Sequence, residues 1–220
     1  MPDTAAYEPT ARTVPTRSRE RAAYDHETVH AILDDGYLCH LGFVRDGAPV
    51  VLPTLYGRVG RRLYVHGSTG SRPLRTAGGT AAGLPVCLTV THVDGLVLAR
   101  SAFHHSVNYR SVVVLGTAYE VTDPEERRTA LDAIVDQVVP GRSADSRPAN
   151  AKELAATAVV RLDLDEVSAK IRTGGPKDEP EDSALPHWTG VLPLARGYGE
   201  PLPAADLDPS VALPEYLAAL

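Results

Sequence analysis

The feature that most limits how this chain can fold is a succession of short apolar segments with few residues between them. Two pairs of these segments flank an Asp-Gly dipeptide, at Asp46-Gly47 and at Asp94-Gly95. Asp-Gly between two apolar runs is typical of a tight hairpin turn, because both residues tolerate the left-handed backbone that the turn requires. The sequence therefore predicts strands at 37–44, 49–57, 62–67, 85–93, 96–103, 110–121 and 157–171.

Two helical segments interrupt this pattern. One is predicted from about Asp25 to Asp35, followed by the helix-breaking Gly36. The other opens at Asp123-Pro124, since aspartate caps a helix and proline suits its first turn. Its apolar face comprises Ala130, Leu131, Ile134, Val135 and Val138. Because so few helices separate the strands, the sequence favours a mainly β (α+β) fold, a small closed barrel with peripheral helices.

The chain divides into three regions by composition. Residues 1–22 are rich in Pro, Thr, Arg and Ala without periodicity, which predicts a disordered N-terminal arm. Residues 23–172 contain all the predicted strands and form the expected barrel domain. Residues 173–220 are dominated by Pro, Gly and acidic residues, which predicts a loop-rich C-terminal flap and tail that packs on the barrel.

Charge and hydropathy argue against several classes of function. The net charge of -6 disfavours a broad electrostatic contact with nucleic acid or an anionic membrane. No apolar run approaches the roughly 20 residues that span a bilayer, and the N-terminus lacks a hydrophobic signal segment. Cys39 and Cys87 are isolated and are expected to be reduced. The sequence therefore predicts a cytoplasmic protein.

The first predicted helix contains His26-Glu27-Thr28-Val29-His30, a match to the zinc signature His-Glu-x-x-His. Two histidines four residues apart on a helix can chelate one ion, and the glutamate can act as a base. Zinc catalysis also needs a third protein ligand, however, and the next histidine, His40, lies in a predicted strand. We expect no metal site here.

A loop of small residues follows the strand that ends at His66: Gly67, Ser68, Thr69, Gly70 and Ser71, with Arg72 next. Glycines let backbone N–H groups approach an anion, hydroxyls add donors, and arginine binds phosphate with two parallel hydrogen bonds. The loop therefore predicts a phosphate site, although a simple polar turn between strand and helix would have the same composition.

A second group of polar residues lies between two predicted strands, and it comprises Arg100, His104, His105, Asn108, Tyr109, Arg110 and Ser111. Polar residues concentrated between apolar strands are typical of a ligand-facing rim. The alternative for His104-His105 is an exposed loop pair, since adjacent residues of an extended chain point in opposite directions. Ser106 beside His105 is not a predicted nucleophile, because no Gly-x-Ser-x-Gly elbow surrounds it.

Taken in order, four blocks resemble the pyridoxamine 5′-phosphate oxidase-like split-barrel family, in its flavin-nucleotide-binding and nitroimidazole-resistance branch. The blocks are GYLCHLGFVRDGAPVVLPTLYGR, LYVHGSTGSR, HHSVNYRSVVVLG and SAKIRTGGPKDEPED…HWTGVLPL. The resemblance runs from about Arg21 to Pro203. It implies an FMN-binding split β-barrel that forms a homodimer, with a cofactor site at each end of the subunit interface.

The resemblance also implies roles for particular residues. Ser68, Ser71 and Arg72 would hold the FMN phosphate, although most relatives have lysine where Arg72 stands. The backbone of Pro53, Thr54 and Leu55 would run along the edge of the flavin ring. The partner chain would contribute Tyr109, Arg110 and Ser111.

His66 matches the reactive histidine of the nitroimidazole-resistance proteins, which makes it the predicted catalytic residue; a structural histidine bonded to the loop is the alternative. The C-terminal flap would cover the flavin with Lys170, Arg172, Pro176 and Trp188. An indole can stack on an isoalloxazine ring, but Trp188 could equally tether the tail to the barrel.

Three functions follow. The first is an FMN-dependent oxidoreductase that reduces a nitro compound, a quinone or a similar small molecule with an external reductant. The second is a non-catalytic flavin-binding or sensing protein. The third is a haem-binding split barrel with axial ligands among His40, His66, His104 and His105. A deazaflavin is a further possible cofactor in the same groove.

Overall fold

The computed structural model describes residues 5–70 and 82–220. Its strands are β1 (Ala22–Ala23), β2 (Leu38–Arg45), β3 (Ala48–Val59), β4 (Arg62–Ser68), β5 (Leu84–Leu98), β6 (Ser106–Glu120), β7 (Thr157–Asp163), β8 (Glu166–Arg172) and β9 (Gly190–Pro193). Its α-helices are α1 (His26–Asp34), α2 (Pro124–Val138), α3 (Ala151–Ala156) and α4 (Glu215–Ala218). Three short 3-10 helices lie at Arg19–Arg21, Ala102–His104 and Pro180–Ala184.

Antiparallel pairing closes strands β2, β3, β4, β7, β6 and β5 into a ring, because β5 pairs with both β6 and β2. Strand β6 is shared between two halves of this barrel. Its residues 109–115 pair with β8, whereas its end, at Tyr119 and Glu120, pairs with β7. The predicted mainly β split barrel with peripheral helices is confirmed.

Two apolar clusters hold the barrel together. The interior is filled from every strand of the ring, for example by Tyr56 and Leu88, both 0% exposed. The second cluster lies outside the barrel, where α2 packs on β4 and β7 through Tyr64, Val121, Ala130, Ile134 and Val159. Asp123 caps α2 as predicted, and its side chain accepts a hydrogen bond from the Glu126 amide at 2.8 Å.

The two Asp-Gly dipeptides have different structures. Asp46 and Gly47 have φ angles of 51° and 78°, and they connect β2 to β3 in the predicted hairpin. The hairpin predicted at Asp94-Gly95 is wrong, because β5 continues through these residues with a bulge between Val93 and Gly95. Both edges of β5 are paired at this level, to β6 and to β9, so the chain stays extended.

The long strand predicted at 157–171 is instead two strands, β7 and β8. Leu164 and Asp165 separate them, and Leu164 is fully buried. β7 pairs with β4, whereas β8 pairs with β6 and β1. At this break the chain passes from one half of the barrel to the other. The strand-like pattern of 157–171 does not indicate that the pairing partner changes there.

The N-terminal segment differs from the disordered arm expected at 1–22. In its described part, from Ala5 onward, Tyr7 is 3% exposed and belongs to the barrel core. The Tyr7 hydroxyl lies 2.8 Å from His30 Nε2, and the rings of His26 and His30 stack 5.4 Å apart. The segment is held because one aromatic side chain is buried between α1 and the barrel. The two histidines of the zinc-like motif serve that packing.

Cys39 is buried and Cys87 is half-buried, and both are free thiols. Burial raises the pKa of Cys39 to about 12, so this thiol is a poor nucleophile. No helix within residues 5–70 and 82–220 is long and apolar enough to cross a membrane.

Candidate functional site

The first group of predicted site residues lies where β3 and β4 diverge. The ladder between these strands ends at Tyr56 and Val65, which both point into the barrel core. Side chains alternate along a strand, so Leu55 on β3 and His66 on β4 point to the outer face instead. Pro53 lies two residues before Leu55 and Ser68 two residues after His66, so both point to the outer face as well. Thr54 points to the opposite face, as does Cys39, its neighbour on β2.

His66 is half-buried beside the second apolar cluster, opposite Val159 of β7. Its Nδ1 is buried and has no hydrogen-bond partner among the described residues. Burial lowers the pKa of His66, which keeps the imidazole neutral at physiological pH. A buried nitrogen without a partner is rare in folded proteins, and Nε of Arg100, Arg127 and Arg161 are in the same state among the described residues.

The predicted phosphate loop is only partly described. Ser68 Oγ accepts a hydrogen bond from the Gly70 amide at 3.2 Å, and the Thr69 amide donates to the Ala156 carbonyl at 3.0 Å. These bonds hold the start of the loop against β7 and α3. Ser71 and Arg72 lie outside the described residues.

The second group of predicted residues lies on the paired strands β6 and β8. Tyr109 is opposite Arg172, and Ser111 is opposite Lys170. Arg172 is 9% exposed and donates hydrogen bonds to Asn108 Oδ1 and to two loop carbonyls. These residues form one polar face close to the start of the C-terminal segment.

Arg110 does not join that face. Its Nε and Nη2 donate to the two carboxylate oxygens of Asp94 at 3.0 and 2.8 Å, and Nη2 also lies 2.8 Å from Asp35. The hydrogen bond from Arg110 lowers the pKa of Asp94, so the carboxylate is charged across the physiological range. Arg110 therefore fastens the β5 bulge to the end of α1.

Trp188 lies two residues before β9 and is 63% exposed. Its ring covers Gly190, where an added Cβ would lie 2.9 Å from the indole. The chain is tied to the barrel on both sides of it, since Asp178 accepts from Arg100 Nη1 at 2.8 Å and Thr189 Oγ1 donates to the Leu98 carbonyl at 2.9 Å. The flap is therefore anchored close to Trp188, which leaves the indole available on the surface.

The two groups are far apart within one chain. Val159, opposite His66, is next to Val160, which pairs with Glu120 at the end of β6. Ser111 lies about nine residues earlier on β6, about 30 Å at roughly 3.3 Å per residue. Along this path, His66 and Ser111 of one subunit are therefore not neighbours.

A basic cleft of about 660 Å³ lies beside the second group; the sequence predicted His104, His105 and Arg172 of its lining but not the contribution of the N-terminal segment. We call it the basic cleft; its lining includes Arg17, Ser18, Glu20, Arg21, His104, His105, Ser106, Arg172 and Lys177. The basic stretch Arg17-Ser18-Arg19-Glu20-Arg21 is a signal for such a site, but in a segment predicted to be disordered it indicates no fixed position.

Comparisons with known proteins show which family and which solved structures this chain is similar to. The family profile described as pyridoxamine 5′-phosphate oxidase matches residues 25–171. The flavocytochrome Anf3 from Azotobacter vinelandii is 41% identical, with a TM-score of 0.88 over 97% of this chain and 98% of that one. The FAD and haem binding protein from Mycobacterium smegmatis is 40% identical, with a TM-score of 0.84 over 90% of this chain and 96% of that one.

A candidate 5-nitroimidazole antibiotic resistance protein from Bacteroides thetaiotaomicron shares the fold at 21% identity. Its TM-score is 0.56 over 68% of this chain and 86% of that one. A search of curated protein sequences finds no match.

Proposed function

This chain belongs to the pyridoxamine 5′-phosphate oxidase family, and we propose that it is a redox protein that binds both a flavin nucleotide and a haem. Two solved relatives at about 40% identity support the pairing, since one is a flavocytochrome and the other binds FAD and haem. The second relative favours FAD over the FMN expected from the sequence. Both relatives also favour haem in addition to flavin, where the sequence suggested it only as an alternative.

His66 carries the haem part of the proposal. Haem iron is commonly held by a neutral histidine, and burial keeps the half-buried His66 neutral. Of the other candidate ligands, His40 is exposed on β2, and His105 already accepts a hydrogen bond from the Ala99 amide at 2.9 Å. His66 is the histidine whose surroundings best fit an axial ligand.

The flavin part rests on the edge of β3 and on the loop after β4. Ser68 would donate its hydroxyl hydrogen to a flavin phosphate, and the backbone of Pro53 to Leu55 would flank the ring. When bound, the flavin accepts a hydride or two electrons and the haem carries single electrons. The protein's own part is to orient the two groups and, through Leu55 and the cluster under α2, to keep water from the His66 side.

We further propose that two copies of the chain assemble. On β2 and β3 the face opposite the core is apolar and exposed: Leu38 is 48%, Val44 65% and Val51 61% exposed. An exposed apolar face of this kind is typical of a protein interface. A partner would also supply the second polar group, which lies about 30 Å along β6 from His66 in the same chain.

The expected reaction is the reduction of a small acceptor, such as a nitro compound or a quinone, by an external reductant through the bound flavin. A non-catalytic flavin-binding protein would hold the same groups without turnover. Reoxidation of the reduced protein by the acceptor, faster than reoxidation of free flavin, distinguishes the enzyme from the binding protein.

The direct test is to denature the purified protein and identify the released molecules by mass spectrometry. We expect FAD and haem. Release of FMN or a deazaflavin with haem would change only the identity of the flavin. Release of a flavin without haem, from protein expressed with ample haem supply, would contradict the haem proposal. Absence of any flavin would contradict the proposal as a whole.

A further inference from the structure

The basic cleft concentrates positive charge in a protein whose net charge is -6. Arg17, Arg21, Arg172 and Lys177 contribute four cationic side chains to its lining. Among the described residues of the lining, Glu20 alone is acidic, and it lies 3.7 Å from Arg21 with 73% of its side chain exposed. The cleft therefore has the electrostatic character of an anion site.

Arg172 is the strongest indication, because it is 9% exposed and its acceptors among the described residues are uncharged. It donates to Asn108 Oδ1 and, at 3.2 Å each, to the carbonyls of Gly174 and Gly175, which are all neutral acceptors. Within residues 5–70 and 82–220, no carboxylate lies within ion-pair distance of it. A buried charge normally has an opposite charge beside it, so an anion in the cleft would stabilise Arg172.

The neutral side chains of the lining add hydrogen-bond donors. Because His105 Nδ1 accepts from the Ala99 amide at 2.9 Å, the proton of the neutral ring is on Nε2, which is a donor. His104 Nε2 lies 3.4 Å from Glu179, a carboxylate at the edge of the cleft. The hydroxyls of Ser18 and Ser106 complete the polar lining.

We propose that the basic cleft binds the pyrophosphate group of a nucleotide. Arginine binds phosphate oxygens with two parallel hydrogen bonds, and several cations in one cleft suit a group that carries more than one negative charge. A cleft of about 660 Å³ also exceeds what a single phosphate needs. The pyrophosphate has two possible sources, an external reductant such as a nicotinamide dinucleotide or the FAD of the proposed function.

The test is calorimetric titration of the protein, as purified, with inorganic pyrophosphate, together with a measurement of its flavin content. The variant is Arg17→Gln with Lys177→Gln, two exposed cations whose side chains make no ion pair with the described residues. The matched control is Arg45→Gln with Lys152→Gln, which removes the same charge from exposed positions outside the cleft. Circular dichroism of both variants checks that they are folded.

For an external nucleotide, we expect pyrophosphate to bind the wild type and the control, with affinity at least about tenfold weaker in the cleft variant and flavin content unchanged. If the pyrophosphate belongs to the FAD, the cleft variant should contain less flavin than the control. The wild type that carries FAD should then bind no added pyrophosphate. Pyrophosphate binding that both variants weaken equally would overturn the proposal. So would absence of pyrophosphate binding together with equal flavin content. A protein purified without flavin would contradict the proposed function, and the titration would still test the cleft.

Discussion

At the scale of single residues, His66 and Arg110 differ in whether their hydrogen-bonding groups have partners. Arg110 is saturated by Asp94 and Asp35, so it stabilises the fold and has little left to offer a ligand. His66 is neutral, half-buried and has one nitrogen without a partner among the described residues. A neutral, half-buried imidazole is suited to ligate haem iron, which is the reason to propose that role for His66.

The lowered pKa of His66 predicts a dependence of stability on pH. The folded-state pKa is below the ordinary value of 6.5, so the unfolded state binds more protons as the pH falls below 6.5. The free energy of unfolding should therefore decrease from pH 6.5 down to the folded-state pKa, and His66 should contribute no slope above 6.5. A histidine that ligates haem iron must also be neutral, so haem binding should likewise weaken as the pH falls below the folded-state pKa.

Urea unfolding at a series of pH values measures this slope in the wild type, in His66→Gln and in His187→Gln, the control at an exposed position outside the β2–β3 face. The slope below pH 6.5 should become shallower in His66→Gln than in the other two proteins. Some slope should remain in His66→Gln, because burial lowers the pKa of His30 as well. Equal slopes in all three proteins would show that His66 is not held neutral by the fold.

At the scale of secondary-structure elements, the packing of α2 on β3 depends on one glycine. A Cβ added at Gly57 would lie 2.6 Å from the backbone carbon of Ala133 and from the backbone nitrogen of Ile134. Backbone atoms of a helix cannot move aside singly, so Gly57→Ala would push the whole helix from the sheet. This contact also shapes the second apolar cluster beside His66.

We predict that Gly57→Ala lowers the free energy of unfolding by about 1–3 kcal/mol. Gly197→Ala is the matched control, because no atom lies within 4 Å of an added Cβ there and its φ is not in the left-handed region. Chemical unfolding of both variants provides the measurement. An equal effect of the two substitutions would mean that the helix is not in close contact with β3.

The elements also show which parts of the fold were readable from sequence. Turn chemistry and helix caps act locally, so the hairpin at Asp46-Gly47 and the start of α2 at Pro124 were predicted correctly. The same dipeptide at Asp94-Gly95 is a bulge because β6 and β9, distant in sequence, pair with β5 there. Local patterns do not contain that information.

The candidate site likewise has a part that local sequence patterns predict and a part that they do not. Glycines and serines next to a strand end predict a phosphate site at Ser68, close to His66, and this stays a prediction. The contribution of the N-terminal segment to the basic cleft was not predicted, because Arg17 and Arg21 reach it only after Tyr7 fixes that segment on the barrel. A single buried aromatic residue in a polar stretch is too weak a signal to predict such docking.

At the scale of the whole molecule, the separation of His66 from the second polar group along β6 is one reason to propose that two chains assemble. The exposed apolar face of β2 and β3 is the expected interface, with Val51 near its centre, opposite Gly42. Val51→Asp would place a charge in that interface, which is costly where no partner compensates it. Val135→Asp on α2 is the control, an exposed valine outside the face.

We predict that the wild type and Val135→Asp elute with about twice the chain mass in size-exclusion chromatography with light scattering, and that Val51→Asp shifts toward the chain mass. Cofactor content should fall together with dimerisation if the partner completes the site. A wild type that is monomeric at all concentrations would contradict the proposed assembly.

The central claim is that one protein holds flavin and haem, with His66 as a haem ligand. Absorption spectra of the purified wild type and of His66→Ala, recorded side by side, test it most directly. The wild type should show the flavin bands together with a Soret band. In His66→Ala the Soret band should be lost or strongly shifted, and restored by added imidazole, while the flavin bands persist. A wild type without a Soret band after expression with haem supplied, or a Soret band unchanged in His66→Ala, would contradict the claim.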